Sequence, residues 1–549
     1  MKSAVQSYGE VNRMNTKSGG KPDYDKLLGM TFGQMMDCLA EEVPEKEAIV
    51  FGDQRLTYSE FRENIRCMAM ALKRIGVQKG DRVGVLFENC IQFFYVQQAI
   101  LYIGGVFISL STRYRKFEIT YMMKHAGAKF MFCVDEYMGT SFIDLLEVIR
   151  PELPEMETIV IKGQNIPAWA KSYKEVFELG KEIEEKVLMA DLPEAKEICS
   201  ILYTSGSTGT PKGVMHTHHS IIWDSTRVCE RLRIGPEDVF LMMLPCSHIF
   251  ASFVLFTNAV MGRSKIVIME TFNAGKALRL QEAESVSVLY GVPTMFTLML
   301  NHPDFERFDL SANRTGYMSG ASCPVELVRA VMQKMHCNIS AAYGMSEADC
   351  ITITNYEDDE YIKSETAGRP IRGLDLKIVD EHRKEVEVGL VGEIAIRGEN
   401  LFAGYYKQED LTRLSFDSDG FFYTGDLGKM DKNGRLIVAG RKKEMIIRGG
   451  FNVYPAEVEE NIALVEGVQY VAVVGVPDRK LGEKICACVV AKPGHHLQAD
   501  KIIQFCKKNL ANFKIPDFVE IMETFPMTTT EKIQKFKIKD LMGEKYGNA

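Results

Sequence analysis

The chain has only two tryptophans, Trp169 and Trp223, and no run of apolar residues long enough to span a bilayer. It also lacks the hydrophobic core of a secretory signal near its N-terminus, which predicts a cytoplasmic protein. Thirteen cysteines are scattered with no Cys-x-x-Cys pair, so reduced thiols are expected. Cys486 and Cys488 alternate along a predicted strand and read as small apolar groups. There is no long basic run, and the net charge is -8, which argues against nucleic acid as a partner. No repeat of 20 to 50 residues is present, which excludes solenoids and propellers.

What the chain does have is length. Its 549 residues exceed what one core organises, so two or more domains are expected. With 46% hydrophobic and 26% charged residues it has the balance of an ordinary globular protein. Residues 1–25 are polar, contain Ser18-Gly19-Gly20, and read as a flexible arm. From Met30 onward, helix and strand patterns alternate. Tyr58-Ser59-Glu60 opens a long amphipathic helix, and Asp81–Phe87, Val106–Leu110 and Lys129–Val134 read as buried strands. The alternation predicts doubly wound α/β layers. A β-rich, glycine-punctuated stretch begins near Thr366, with Asp431-Lys432-Asn433-Gly434 read as a hairpin turn. Beyond Lys443 the pattern is that of a small α+β unit of about a hundred residues. The expected division is therefore 1–25, 26–442 and 443–549, with a hinge near Lys443.

The most informative stretch follows the buried run Ile198–Leu202. It reads Tyr203-Thr204-Ser205-Gly206-Ser207-Thr208-Gly209-Thr210-Pro211-Lys212-Gly213. Glycines allow positive φ and bring N–H groups close to a ligand, hydroxyls add donors without bulk, and Lys212 adds a point charge. That chemistry suits a polyphosphate. It is not a Walker loop, which ends in Gly-Lys-Ser/Thr at a helix start. A linker is the plainer reading, but linkers seldom follow a buried strand directly. The nearby histidines His216, His218 and His219 have the wrong spacing for a helical metal site, and a helix start is expected there.

Four further motifs follow. Leu244-Pro245-Cys246-Ser247-His248-Ile249-Phe250 places a histidine in an apolar segment. Ala342-Tyr343-Gly344-Met345-Ser346-Glu347 combines an aromatic ring, a hydroxyl and a carboxylate, about 140 residues beyond Tyr203. Tyr423-Thr424-Gly425-Asp426 offers a carboxylate suited to a ribose diol. Phe525-Pro526-Met527-Thr528-Thr529-Thr530-Glu531-Lys532 sits near the C-terminus.

Together these motifs resemble the adenylate-forming enzymes, a superfamily that includes acyl-CoA synthetases, peptide-synthetase adenylation domains and luciferases. The resemblance covers the chain from about residue 30 and looks most like medium- and long-chain fatty acyl-CoA synthetases. It implies a large N-terminal domain and a small, mobile C-terminal one. It also implies two half-reactions. A carboxylic acid and Mg-ATP give an acyl-adenylate, and coenzyme A then takes the acyl group. By the same resemblance, Lys532, Glu347, Ser346 and Lys212 are the catalytic set, with Glu347 and Thr208 toward Mg²⁺. ATP would be held by Thr204, Ser205, Gly206, Ser207, Thr208 and Gly209, and by the small-residue turn Gly320, Ala321 and Ser322. Ala342, Tyr343 and Gly344 would meet the base, and Asp426 and Arg441 the ribose. His248, Phe250 and Met345 would line the acyl pocket, Lys443 would be the hinge, and Gly449 and Gly450 would border the coenzyme A tunnel. The chain departs from the family at Glu531, where a glycine is usual before the lysine.

Acetate is not the expected acid, because no tryptophan lies near 345–350 to shorten the pocket. Aryl or alicyclic acids stay open as substrates, as does a carrier protein as acceptor. A luciferase-type oxygenase and a non-catalytic nucleotide sensor are the readings from other classes. A homodimer is left open as a partner.

Overall fold

The runs Phe130–Val134, Val106–Ser109 and Thr315–Met318 are buried at every residue. A strand with no polar face fits only inside a parallel sheet covered on both sides. The computed structural model, which describes residues 23–204, 211–321, 323–527 and 533–547, places them there. One eight-stranded sheet has the order Gly404–Tyr405, Lys212–Thr217, Ile198–Thr204, Val106–Ser109, Arg82–Leu86, Phe130–Val134, Thr158–Lys162, Lys171–Ser172. Its first two strands are antiparallel to their neighbours and the rest are parallel. A nine-stranded sheet runs Arg369–Pro370, Asp349–Ile353, Asn338–Met345, Thr315–Met318, Val288–Gly291, Val239–Met242, Lys265–Ile268, Glu47–Phe51, Gln54–Thr57. It too is parallel in the middle and antiparallel at both edges.

The helix Ile91–Tyr102 is buried nearly all round, as expected of an element packed inside a large core. Phe94 stacks on Phe256 with centroids 4.7 Å apart, and Phe93 meets Phe107 edge-on at 5.8 Å. The helix expected from Tyr58 runs to Arg74 and is closed by a capping box between Thr57 and Glu60. The acidic region around 182–197 contains the short helix Glu185–Leu188. The histidine segment divides: Lys212–Thr217 is strand, and the helix begins at His218 with Thr217 as its cap.

The β-rich stretch forms a four-stranded antiparallel sheet, Asp375–Val379, Gly392–Arg397, Phe422–Met430 and Leu436–Arg441. Its last two strands are joined by the turn at Asp431–Arg435. One continuous hydrophobic core spans Tyr24 to Leu436. Two smaller cores lie on either face of a separate C-terminal sheet built on Val468–Asp478 and Gly482–Ala491. Cys486 and Cys488 are both buried in one of them. Between the large core and the small ones runs the segment 441–445, a single 3-10 turn at Lys442–Glu444. Lys535, at the start of the last helix, reaches back to this segment. Its ammonium lies 2.7 Å from Glu459 and 3.6 Å from Glu444.

Phe94→Ala removes a stacked ring from the large core. It should lower stability by about 3–5 kcal/mol, read as a lower urea midpoint for the transition that also quenches packing around Phe256.

Candidate active site

The strand Ile198–Thr204 ends at the phosphate-type loop, and the antiparallel strand Lys212–Thr217 returns from it, pairing Thr204 with Lys212. Ser205, Gly206, Ser207, Thr208, Gly209, Ser322, Glu531 and Lys532 lie outside the described residues, as do residues 1–22. Lys212 is half-buried, and its ammonium sits 5.0 Å from the centroid of the Tyr405 ring.

Across from it, the hairpin of Asn338–Met345 and Asp349–Ile353 carries the turn Ser346-Glu347-Ala348. Gly344 is required in this hairpin. A Cβ there would lie 1.9 Å from the carbonyl oxygen of Asp349. Glu347 is 9% exposed, and its Oε1 accepts the Tyr405 hydroxyl at 2.9 Å. Burial pushes the Glu347 carboxyl above its ordinary range, opposed by that hydroxyl and by the charges of Arg441 and Lys212. The turn is also held from the chain beyond Glu399. Phe402 N–H donates to the Glu347 carbonyl at 2.8 Å, and the Asn400 amide donates to Ala348 and Cys350 carbonyls at 2.7 and 2.9 Å.

Tyr343, on the same hairpin, donates its hydroxyl to Asp426 Oδ2 at 2.6 Å. Arg441 Nε lies 3.5 Å from Asp426 Oδ1, the two residues being paired across adjacent strands. Asp426 is 7% exposed, and burial raises its pKa against the pull of Arg441 and Tyr343. It follows Gly425, whose φ of +74° is the left-handed conformation that glycine takes without strain. Glu393 adds a link that the sequence did not suggest. One of its oxygens accepts Gly425 N–H at 3.2 Å, and the other meets Lys442 at 2.8 Å.

The structure therefore brings Lys212, Ser346, Glu347, Tyr343, Asp426 and Arg441 into one neighbourhood. Thr204 lies at its floor strand. Gly320 and Ala321 form the turn after Thr315–Met318, with Gly320 at φ +89°. His248 and Phe250 form a neighbouring group. His248 Nδ1 accepts Phe250 N–H at 3.2 Å, and the Phe250 ring lies 5.0 Å from Tyr317 and 5.8 Å from Tyr290. Met345 is half-buried at the end of its strand. Gly449 and Gly450, both at positive φ, make the tip of the hairpin Ile446–Arg448 and Phe451–Val453, while Lys443 sits in the turn between the cores. No group of three or more metal-type side chains occurs among the described residues, and His216 and His218 are buried in the core.

Tyr405, Asn400 and Glu393 were not singled out from the sequence. The only local signal is the doublet Tyr405-Tyr406 after Gly404; Gly404–Tyr405 pairs as a two-residue edge strand with Met215 and Val214.

A half-buried lysine on a strand facing a buried carboxylate turn, with a tyrosine–aspartate–arginine group beside it, fits an adenylate-forming enzyme. The comparisons agree. Residues 38–406 match the AMP-binding enzyme family and residues 457–532 its C-terminal domain. Putative acyl-CoA synthetase YngI of Bacillus subtilis (strain 168) is 34% identical over 538 residues, covering 94% of this chain and 97% of that protein. The mitochondrial medium-chain acyl-CoA ligase ACSF2 of Macaca fascicularis is 33% identical over 564 residues, covering 97% and 91%. The crystal structure of ATP-bound MatB from Rhodopseudomonas palustris superposes with a TM-score of 0.83 at 28% identity, covering 94% of this chain and all of that one. The chain belongs to the AMP-binding enzyme family and, within it, to the AMP-forming acyl-CoA synthetases. No helix among the described residues is long and apolar enough to cross a membrane.

His216 is fully buried under the Ser346 backbone, and burial pushes its pKa down to about 4. A base whose folded pKa is depressed takes its proton more readily when unfolded, so stability is lost as pH falls from about 6.5 through about 4. His216→Gln should lose less than the parent chain over that window, by on the order of 3 kcal/mol, measured by urea unfolding at pH 7, 5.5 and 4.

Proposed function

We propose that this enzyme activates a medium- or long-chain fatty acid through its adenylate and transfers the acyl group to coenzyme A. The carrying observation is the pairing of Lys212 and Glu347 around one tyrosine, beside the Tyr343–Asp426–Arg441 group. In the first half-reaction the acid's carboxylate oxygen bonds to the α-phosphorus of ATP, and the bond to the β-phosphate bridging oxygen breaks, releasing pyrophosphate. Catalysis here is positioning and charge neutralisation. Lys212 faces the leaving phosphates, Ser346 donates to the α-phosphate, and Lys532 neutralises charge shared between the carboxylate and the α-phosphate. Asp426 and Arg441 hold the ribose, and Tyr343 lies against the base. In the second half-reaction the thiol sulfur of coenzyme A bonds to the acyl carbon, AMP leaves with the electron pair, and the thiol proton is released. The small domain, residues 443–549, turns near Lys443 between the two, bringing Gly449 and Gly450 to the thiol's path.

Glu347 fits a magnesium ion. It is a hard oxygen donor, buried, with Oε1 taken by the Tyr405 hydroxyl and a carboxyl whose pKa burial raises, so that a cation beside it would stabilise its charged form. Bound there with ATP, Mg²⁺ would neutralise phosphate charge. The fatty acid reading is supported by the apolar wall of Phe250, Tyr290 and Tyr317 and by the likeness to a medium-chain ligase.

Pyrophosphate release from ATP should be measured across acids from acetate to palmitate, with benzoate and cyclohexanecarboxylate, with and without coenzyme A. Turnover that requires coenzyme A and peaks between octanoate and palmitate is expected. A peak at a ring acid overturns the fatty acid reading, and a burst indifferent to coenzyme A overturns the acceptor. Lys532→Ala should cut adenylate formation at least a hundredfold, roughly the effect of losing one charge-stabilising donor, yet leave thioester formation from supplied acyl-adenylate within a few fold. Equal loss in both steps would refute its assignment to adenylation.

A further inference from the structure

Residues 400–406 form a clamp between two parts of the site that are far apart in sequence. On one side Ala403 N–H donates to the Met215 carbonyl and Tyr406 N–H to the Gly213 carbonyl, each at 2.8 Å, which fixes the strand that begins at Lys212. On the other side Phe402 and Asn400 hold the backbone of the Glu347 turn. Tyr405 repeats this bridge with its side chain. Its ring face meets the Lys212 ammonium at 5.0 Å and its hydroxyl donates to Glu347 at 2.9 Å.

The ring is well anchored. Tyr405 is buried, its N–H donates to Thr412 Oγ1 at 2.9 Å, and the Phe402 ring stands edge-on at 4.8 Å. A lysine and a glutamate brought this close ordinarily pair with one another, and each then has less charge to offer a ligand. A phenol between them satisfies both at once. The π face takes the cation, and the O–H takes the anion.

We propose that Tyr405 is a positioning residue for adenylation, a neutral spacer that keeps Lys212 and Glu347 apart and aimed at the polyphosphate and its metal. This rests on the reading of the site given above. Partners that orient a metal-binding carboxylate are commonly worth tenfold or more in metal affinity.

The test uses the full-length enzyme with Tyr405→Phe and Tyr405→Leu. The first keeps the ring and loses the donor, and the second loses both. Binding is followed by the electron paramagnetic resonance of Mn²⁺ titrated with ATP and by calorimetry of ATP without metal. Both half-reactions are followed separately, the second from supplied octanoyl-adenylate. Tyr405→Phe should weaken Mn²⁺–ATP binding about tenfold, raise the Mg²⁺ needed for half-maximal pyrophosphate release to match, and leave metal-free ATP binding within twofold. Tyr405→Leu should weaken metal-free ATP binding as well. Thioester formation from octanoyl-adenylate should be unchanged in both.

Wild-type Mn²⁺–ATP affinity in Tyr405→Phe overturns the proposal, as does equal loss of both half-reactions. If Tyr405→Leu does not fold, the phenylalanine variant still decides. The binding measurement needs no acid. A silent wild-type turnover assay would therefore count against the proposed function, while Tyr405 would still be judged on Mn²⁺–ATP affinity.

Discussion

A carboxylate with 9% exposure is held in place at Glu347, and much of the surrounding architecture follows from that constraint. Burying a charge is costly unless hydrogen bonds and opposite charges compensate. Compensation here comes from three places. The Tyr405 hydroxyl arrives on an edge strand of the eight-stranded sheet, Lys212 from the strand beside it, and Arg441 from the four-stranded sheet. Glu347 itself sits on the nine-stranded sheet's edge hairpin. One side chain on the nine-stranded sheet thus gathers contributions from the eight- and four-stranded sheets, and the site lies where the three meet. Ligand sites in open α/β sheets commonly lie outside the carboxyl ends of the strands.

The fold was largely readable from the chain because its signals are local. Fully apolar runs such as Phe130–Val134, and the Thr57–Glu60 cap, carry their structure in a few adjacent residues. The motif residues were readable for a similar reason, since Tyr343, Glu347 and Asp426 occur in short ordered patterns. What holds them was not. Tyr405 meets Glu347 from 58 positions away, and Asp426 is reached by Tyr343 across 83. Nothing near Asn400 or Glu393 marks them as partners of the Glu347 turn or of Gly425. Such roles come from sheet edges meeting in space, and periodicity does not encode them. The split of the histidine segment into strand and helix shows a smaller version of the same limit. Lys212–Thr217 becomes a strand because Ile198–Thr204 offers it an edge, and its own residues do not demand it.

Phe250, Tyr290 and Tyr317 form an aromatic wall of mutually packed rings. Close-packed rings tolerate little change in volume, and these three come from one helix and two strands distant in sequence. The family signal thus sits in short motifs, whereas the wall is a product of packing between distant segments.

The segment 441–445 joins units whose hydrophobic cores share no residue. Lys535, clasped by Glu444 and Glu459, fastens the beginning of the last helix to this same segment. Glu444 and Lys535, far apart in sequence, are thus tied at one point. The turn and the start of the last helix therefore share one ionic node, and losing the Lys535 charge would leave two carboxylates facing each other there.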